Sequence, residues 1–288
     1  MRLVVLADRL RLVRNRNLEI ATEGMNEAEE TEVGGAAVVP TEQLERAQRE
    51  SDTIAGKDDS LGIPTVTALA RNARLIPHAT DHAIVEHYRK LRTKVLQHQA
   101  EKPFKSLVLT SAFPQEGKTV TVLNLALSFA MLPSFKVLAL DGDLRRGTLG
   151  NWLGMKDDSK GLSNVLDGSA ALEEVVFKST EVPMHFVMRG NSKVSPGELL
   201  HSPRLATTFQ KLTEQFDLVL VDSPPVNLIT DVQLLAAKCD AVLLIARAFS
   251  TTRKGFEKAA QDLLPFRVIG SVLNAGSERR SHRYKGYY

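Results

Sequence analysis

The stretch Leu107-Val108-Leu109-Thr110-Ser111-Ala112-Phe113-Pro114-Gln115-Glu116-Gly117-Lys118-Thr119-Val120 decides how the rest of the chain is read. An apolar run ends in a short turn, and helical spacing begins at once over Gly117–Met131. A strand that runs through Ala112–Thr119 into a helix matches the phosphate-loop pattern, with alanine in place of its first glycine. In such a loop, backbone N–H groups and the helix N-terminus converge on phosphate oxygens. Lys118 is expected to reach the β and γ phosphates as a point charge, and the Thr119 hydroxyl to ligate magnesium. Gln115, Glu116, Gly117 and Val120 complete the expected nucleotide-binding turn.

Outward from this loop, apolar runs recur at Val137–Leu140, Phe186–Met188, Leu218–Val221, Ala241–Ala246 and Val268–Leu273. Helical patterns fall between them, at Pro203–Gln215, Ile229–Lys238 and Thr252–Leu264. Strands without polar alternation, each followed by a helix, indicate a parallel sheet covered on both faces. The expected fold is α/β, a doubly wound, mostly parallel sheet of P-loop NTPase type and about 180 residues.

Two more strands run into aspartates: Val137–Leu140 into Asp141-Gly142-Asp143, and Leu218–Val221 into Asp222-Ser223-Pro224-Pro225. In an open α/β sheet the ligand sits beyond the carboxyl ends of the strands, so these carboxylates should converge on the phosphate loop. Magnesium takes one or two carboxylates, often through water. A positioned carboxylate can also accept the proton of an attacking hydroxyl. Asp143 could equally cap a helix starting near Leu144, and Asp231 either supports this cluster from behind or caps its own helix.

Upstream, Ile84, Tyr88, Leu91 and Val95 recur at spacings of three and four, which predicts a helix from about residue 81. Residues 21–80 are acidic, poor in aromatics and broken by glycine and proline, so 1–80 reads as a flexible or disordered arm. Residues 1–16 carry five arginines against Asp8. They read as a flexible lead-in, as sequence upstream of a start at Met25, or as a basic helix on a membrane surface. The net charge of +3 is too small to point to nucleic acid, and no nucleic-acid partner is expected. No apolar run approaches the roughly 20 residues needed to span a bilayer. Cys239 is the only cysteine, which excludes an intrachain disulfide and an iron–sulfur carrier and fits a reducing cytoplasm.

Three of the four tyrosines, Tyr284, Tyr287 and Tyr288, fall in the last five residues, within a tail over 277–288. That tail holds Arg279, Arg280, Arg283 and Lys285 against Glu278. Packing does not call for such a cluster, because termini are usually poorly ordered. A phenol, with a pKa near 10, is easier to activate as a nucleophile than serine or water.

Together these elements resemble the bacterial tyrosine kinases of exopolysaccharide and capsule assembly, over about residues 81–288. The likeness rests on Ser111–Thr119 as Walker A, Val137–Arg146 as Walker A′ and Phe216–Val226 as Walker B. Gly161–Leu166 and Gly197–Leu200 add to it. It implies a kinase domain over 81–276, using ATP and Mg2+ to phosphorylate its own Tyr284, Tyr287 and Tyr288. Lys118, Asp141 and Asp143 would then be catalytic, with Asp141 the base. Thr119, Asp143 and Asp222 would serve the metal, and Asn274 would contact adenine. Glu86, Arg89 and Arg92 match the family's ring-assembly motif on a helix over 81–98, which implies a homo-oligomeric ring. Read from the residues alone, they are a solvated face with an i,i+3 ion pair. The resemblance further implies a cytoplasmic protein recruited to the inner face of the plasma membrane by a separate transmembrane activator, a polysaccharide co-polymerase that sets chain length.

The competing expectation is a partitioning or cell-division-site ATPase of the same fold, acting as a positional switch. That class usually carries a second lysine five positions before the main one, where this chain has Phe113, and has no use for terminal tyrosines. A scaffold that binds nucleotide without chemistry is disfavoured by the intact Lys118, Thr119, Asp141, Asp143 and Asp222.

Overall fold

Eight strands form one sheet among the described residues, which are 65–66, 75–76, 82–155 and 159–275 of a computed structural model. The strands are β1 (Thr65–Val66), β2 (Ser106–Ser111), β3 (Val137–Asp141), β4 (Val176–Ser179), β5 (Met184–Val187), β6 (Leu218–Asp222), β7 (Ala241–Arg247) and β8 (Val268–Asn274). Their order across the sheet is β1-β4-β5-β3-β6-β2-β7-β8. All pairs are parallel except β4 with β5.

Between them lie α1 (His82–Glu101), α2 (Lys118–Ala130), α3 (Leu149–Trp152), α4 (Leu162–Asp167), α5 (Leu172–Val175), α6 (Pro196–His201), α7 (Arg204–Gln215), α8 (Asp231–Ala236) and α9 (Arg253–Asp262). Both faces of the central strands are covered, which is why their residues are apolar without alternation. Leu107, Leu109, Leu218 and Leu220 face the core shared with α1 and α2. Val108, Val219 and Val221 face the opposite core, built with Leu205, Phe209 and Leu212 of α7. The stripe expected on α1 is the face it buries, with Tyr88, Leu91 and Val95 buried and Ile84 partly so. Full burial of a Leu or Val side chain contributes about 1.5–3 kcal/mol, which seats α1 on α2.

Two features depart from the pattern reading. The β4 strand was not expected, and its pairing with β5 is antiparallel. Its residues Val176-Phe177-Lys178-Ser179 are buried only at the two ends, so it lacks the continuous apolar run that marked the others. The domain also begins before residue 81. Thr65–Val66 pairs with Lys178–Ser179, Leu75 and Ile76 are buried, and the Ile76 amide donates to Asn124 Oδ1 at 2.9 Å. The remainder of the expected arm, and the tail with Tyr284, Tyr287 and Tyr288, lie outside the described residues.

Candidate nucleotide and metal site

The loop from the end of β2 to the start of α2 is held by its own side chains. Gln115 and Gly117 take left-handed backbone angles, with φ of +62° and +91°. At Gly117 a Cβ would collide with the Asn274 carboxamide, whose Nδ2 donates to the Glu116 carbonyl at 3.1 Å. The Glu116 side chain turns inward and is 1% exposed. Its Oε2 accepts from the Phe113 amide at 2.9 Å, and its Oε1 accepts from the Thr251 hydroxyl. Lys118 extends back along the loop, and its Nζ donates to Ser111 Oγ at 3.2 Å. Burial lowers the pKa of this ammonium, and the carboxylates of Asp222, Asp143 and Glu116 oppose that shift.

Thr119 at the start of α2 donates its hydroxyl to Asp222 Oδ2 at 2.5 Å. The other oxygen, Asp222 Oδ1, is buried and has no hydrogen-bond partner among the described residues. A buried orphan acceptor is costly, at about 1–3 kcal/mol or more when charged. Burial pushes the Asp222 carboxyl up to about 6, with Thr119 and Lys118 opposing and Asp143 adding to the rise. A cation beside Thr119 Oγ1 and Asp222 Oδ1 would satisfy the oxygen and remove that strain. No group of three or more His, Cys, Asp or Glu gathers as a metal site among the described residues. Magnesium does not need one, since a hydroxyl and one or two carboxylates suffice when phosphates and water complete the octahedron. The residues present fit Mg2+.

The two aspartates at the C-terminal end of β3, Asp141 within it and Asp143 beyond it, have separate places. Asp143 is half-buried and lines the cleft, and its Oδ1 accepts from the amides of Arg145 and Arg146 at 3.2 and 2.9 Å. It therefore caps the turn at 144–147, which is not a helix. Asp141 is 1% exposed and sits behind that turn. Its two oxygens accept from the amides of Asp143 (3.2 Å) and Leu149 (3.1 Å), and Gly147 packs against the carboxylate. Burial and Asp222 raise its pKa well above the usual carboxylate range, against the two amide hydrogen bonds. Asp141 is not among the residues lining the cleft. Asp231 holds Arg145 through bonds of 2.7 and 3.2 Å, so it supports this turn from α8.

The cleft has a volume of about 1170 Å³, above the roughly 300–1,000 Å³ typical of one small ligand. Gln115, Gly117, Lys118, Thr119, Val120 and Asp222 line its middle, with Asn274 at the β8 side and Asp143 at the β3 side. Sequence reasoning missed Arg247, which lines the cleft from the end of β7, and Trp152, which lines it from α3. For Arg247 the signal was available, because it ends a strand on the ligand side of the sheet.

Glu86, Arg89 and Arg92 lie on α1 and do not line the cleft, although Ile84, His87 and Tyr88 of the same helix do. Glu86 and Arg89 form an exposed i,i+3 pair at 3.7 Å. Arg92 instead bonds the Ser128 carbonyl and ties α1 to α2. No helix among the described residues is long and apolar enough to cross a membrane.

Comparison with known proteins agrees with this architecture. The AAA domain family model matches residues 116–263. Tyrosine-protein kinase YwqD of Bacillus subtilis is 31% identical over 205 residues, which is 70% of this chain and 85% of that protein. The solved kinase domain of Escherichia coli tyrosine kinase ETK is similar at a TM-score of 0.66 and 28% identity, covering 88% of this chain and all of that one. The septum site-determining protein MinD of Pyrococcus horikoshii, solved with Mg-ADP, shares the fold at a TM-score of 0.50 and 24% identity, covering 61% and 72%. The chain belongs to the AAA-domain family and, within it, to the bacterial tyrosine kinases.

Proposed function

We propose that this chain is an ATP-dependent protein-tyrosine autokinase that phosphorylates Tyr284, Tyr287 and Tyr288 of its own tail and so regulates exopolysaccharide or capsule polymerisation and export. The observation that carries the reading is the Thr119–Asp222 pair near the Lys118 ammonium, with Asp222 Oδ1 unpartnered among the described residues. That arrangement suits a metal–triphosphate, and the basic, tyrosine-rich tail supplies an acceptor for the terminal phosphoryl group.

In the transfer, the phenol oxygen forms a bond to the γ-phosphorus, the bond from that phosphorus to the bridging oxygen of ADP breaks, and the phenolic proton passes to a carboxylate. Lys118 and the N–H groups of the loop hold the phosphates. Thr119 and Asp222 would hold Mg2+, which when bound supplies charge stabilisation to the phosphoryl oxygens. Of the two aspartates at the end of β3, Asp143 is the one that lines the cleft, and we assign it the proton; Asp141 shapes the turn that presents Asp143. The Asn274 position beside Gly117 suits contact with the adenine end. A cleft larger than one small ligand leaves space for the acceptor.

The exposed Glu86–Arg89 pair on α1 is available for assembly into a ring, with Arg92 anchoring the helix. The reading also places the protein in the cytoplasm, held at the inner face of the plasma membrane by a separate transmembrane activator of chain-length type. Incubation with ATP, Mg2+ and a candidate activator, followed by mass-spectrometric site mapping, tests the whole proposal. Phosphate on Tyr284, Tyr287 or Tyr288 that Lys118→Met abolishes is the expected result. Turnover of ATP with no phosphotyrosine would favour the positional-switch ATPase instead.

A further inference from the structure

The phosphate loop is gripped by the end of β7 and the turn that joins it to α9. Arg247 Nη1 donates to the Gln115 carbonyl at 2.9 Å. The Thr251 hydroxyl donates to Glu116 Oε1 and accepts from the Arg247 amide at 2.7 Å. The Phe113 ring lies against Gly255 of α9. Asn274, the last residue of the neighbouring β8, donates its Nδ2–H to the Glu116 carbonyl at 3.1 Å.

These contacts have a directional consequence. In a planar trans peptide the C=O and the following N–H point in opposite directions. With Arg247 holding the Gln115 carbonyl, the Glu116 N–H is turned the other way. When Asn274 draws the Glu116 carbonyl, the same holds for the Gly117 N–H. Gln115, a non-glycine residue at φ +62°, keeps that conformation because its surroundings fix it. The inward Glu116 carboxylate is the strut of the arrangement, joining the Phe113 amide to Thr251 across a buried site.

We infer that Thr251, acting through Glu116 and together with Arg247, is a positioning residue that sets the direction of the phosphate-binding N–H groups, so that nucleotide affinity is controlled from the β7–α9 turn. The inference rests on the nucleotide reading of the cleft. Thr251 itself does not line the cleft, so its effect must be relayed.

The test is direct titration of the full chain with a fluorescent ADP analogue and Mg2+, beside thermal melts without nucleotide. Thr251→Val keeps the shape and removes the hydroxyl. We expect its dissociation constant to rise about tenfold, equivalent to about 1.4 kcal/mol. Thr251→Ser, which restores the hydroxyl, should return within about twofold of wild type, by the same relation. In autophosphorylation assays the KM for ATP should rise in the valine variant while kcat holds. Thr251→Ala serves the same purpose should the valine variant fold poorly. Loss of thermal stability with unchanged nucleotide affinity, or a serine variant as weak as valine, overturns the inference. If the wild-type chain binds no nucleotide, the reading of the cleft fails, and that result is distinct from failure of the relay.

Discussion

Gly117→Ala probes the junction of the loop, α2 and the end of β8 in one substitution. Gly117 has φ +91°, a conformation that costs an L-residue about 1–2 kcal/mol. A methyl there also collides with the Asn274 carboxamide, which must swing away and give up its 3.1 Å bond to the Glu116 carbonyl. A hydrogen bond of this kind contributes about 1 kcal/mol, so the single variant should lose about 2–3 kcal/mol in all. Asn274→Ala alone loses the same bond, about 1 kcal/mol, and empties the space the methyl needs. The double variant therefore loses that bond once and should also cost about 2–3 kcal/mol, leaving a coupling of about 1 kcal/mol between the sites. Urea unfolding without nucleotide measures all four corners of the cycle, and ADP titration reads the loop itself. Strict additivity, or a neutral Gly117→Ala, would show that Asn274 does not press on this loop and refute the reasoning.

Three further outcomes follow from single side chains. Burial outweighs the carboxylates in lowering the Lys118 pKa, so its charge is a net cost to the nucleotide-free fold at neutral pH. Lys118→Met should then abolish phosphotyrosine while the urea midpoint holds or rises; a lower midpoint contradicts the sign. Arg145→Ala strands the Asp231 carboxylate, whose side chain is 5% exposed. The expected loss is about 2 kcal/mol, less than for a fully buried pair because Arg145 is half in water, and Asp231→Asn in the same chain should recover part of it in thermal melts. Phe249 combines φ +59° with 82% exposure, so Phe249→Asn gives up little burial and should raise stability by about 0.5 kcal/mol. An unchanged or lower Tm would mean that the Phe249 ring makes a contact worth more than the strain.

The central sheet was legible because strands buried on both faces leave a continuous apolar signature, as Leu107–Leu109 and Leu218–Val221 do. The phosphate loop was legible because its chemistry fixes residue types at fixed spacing. What escaped has a common cause: its signal is spread over distant sequence or too little of it is buried. The β4 strand is short and half-exposed, so its pattern is weak. Thr251 meets Glu116 across a separation of 135 residues, and no local pattern announces such a pair. Asp141 and Asp143 show the same limit within three residues. As sequence they are interchangeable carboxylates at a strand end. In the fold, the turn through Arg145 and Arg146 doubles back over the first and leaves the second facing the cleft. The turn can close that tightly because Gly147 has no side chain to hold it off the Asp141 carboxylate. A glycine four residues after Asp143 was thus the one local sign of which aspartate is covered, and it can be read only once the direction of the turn is known.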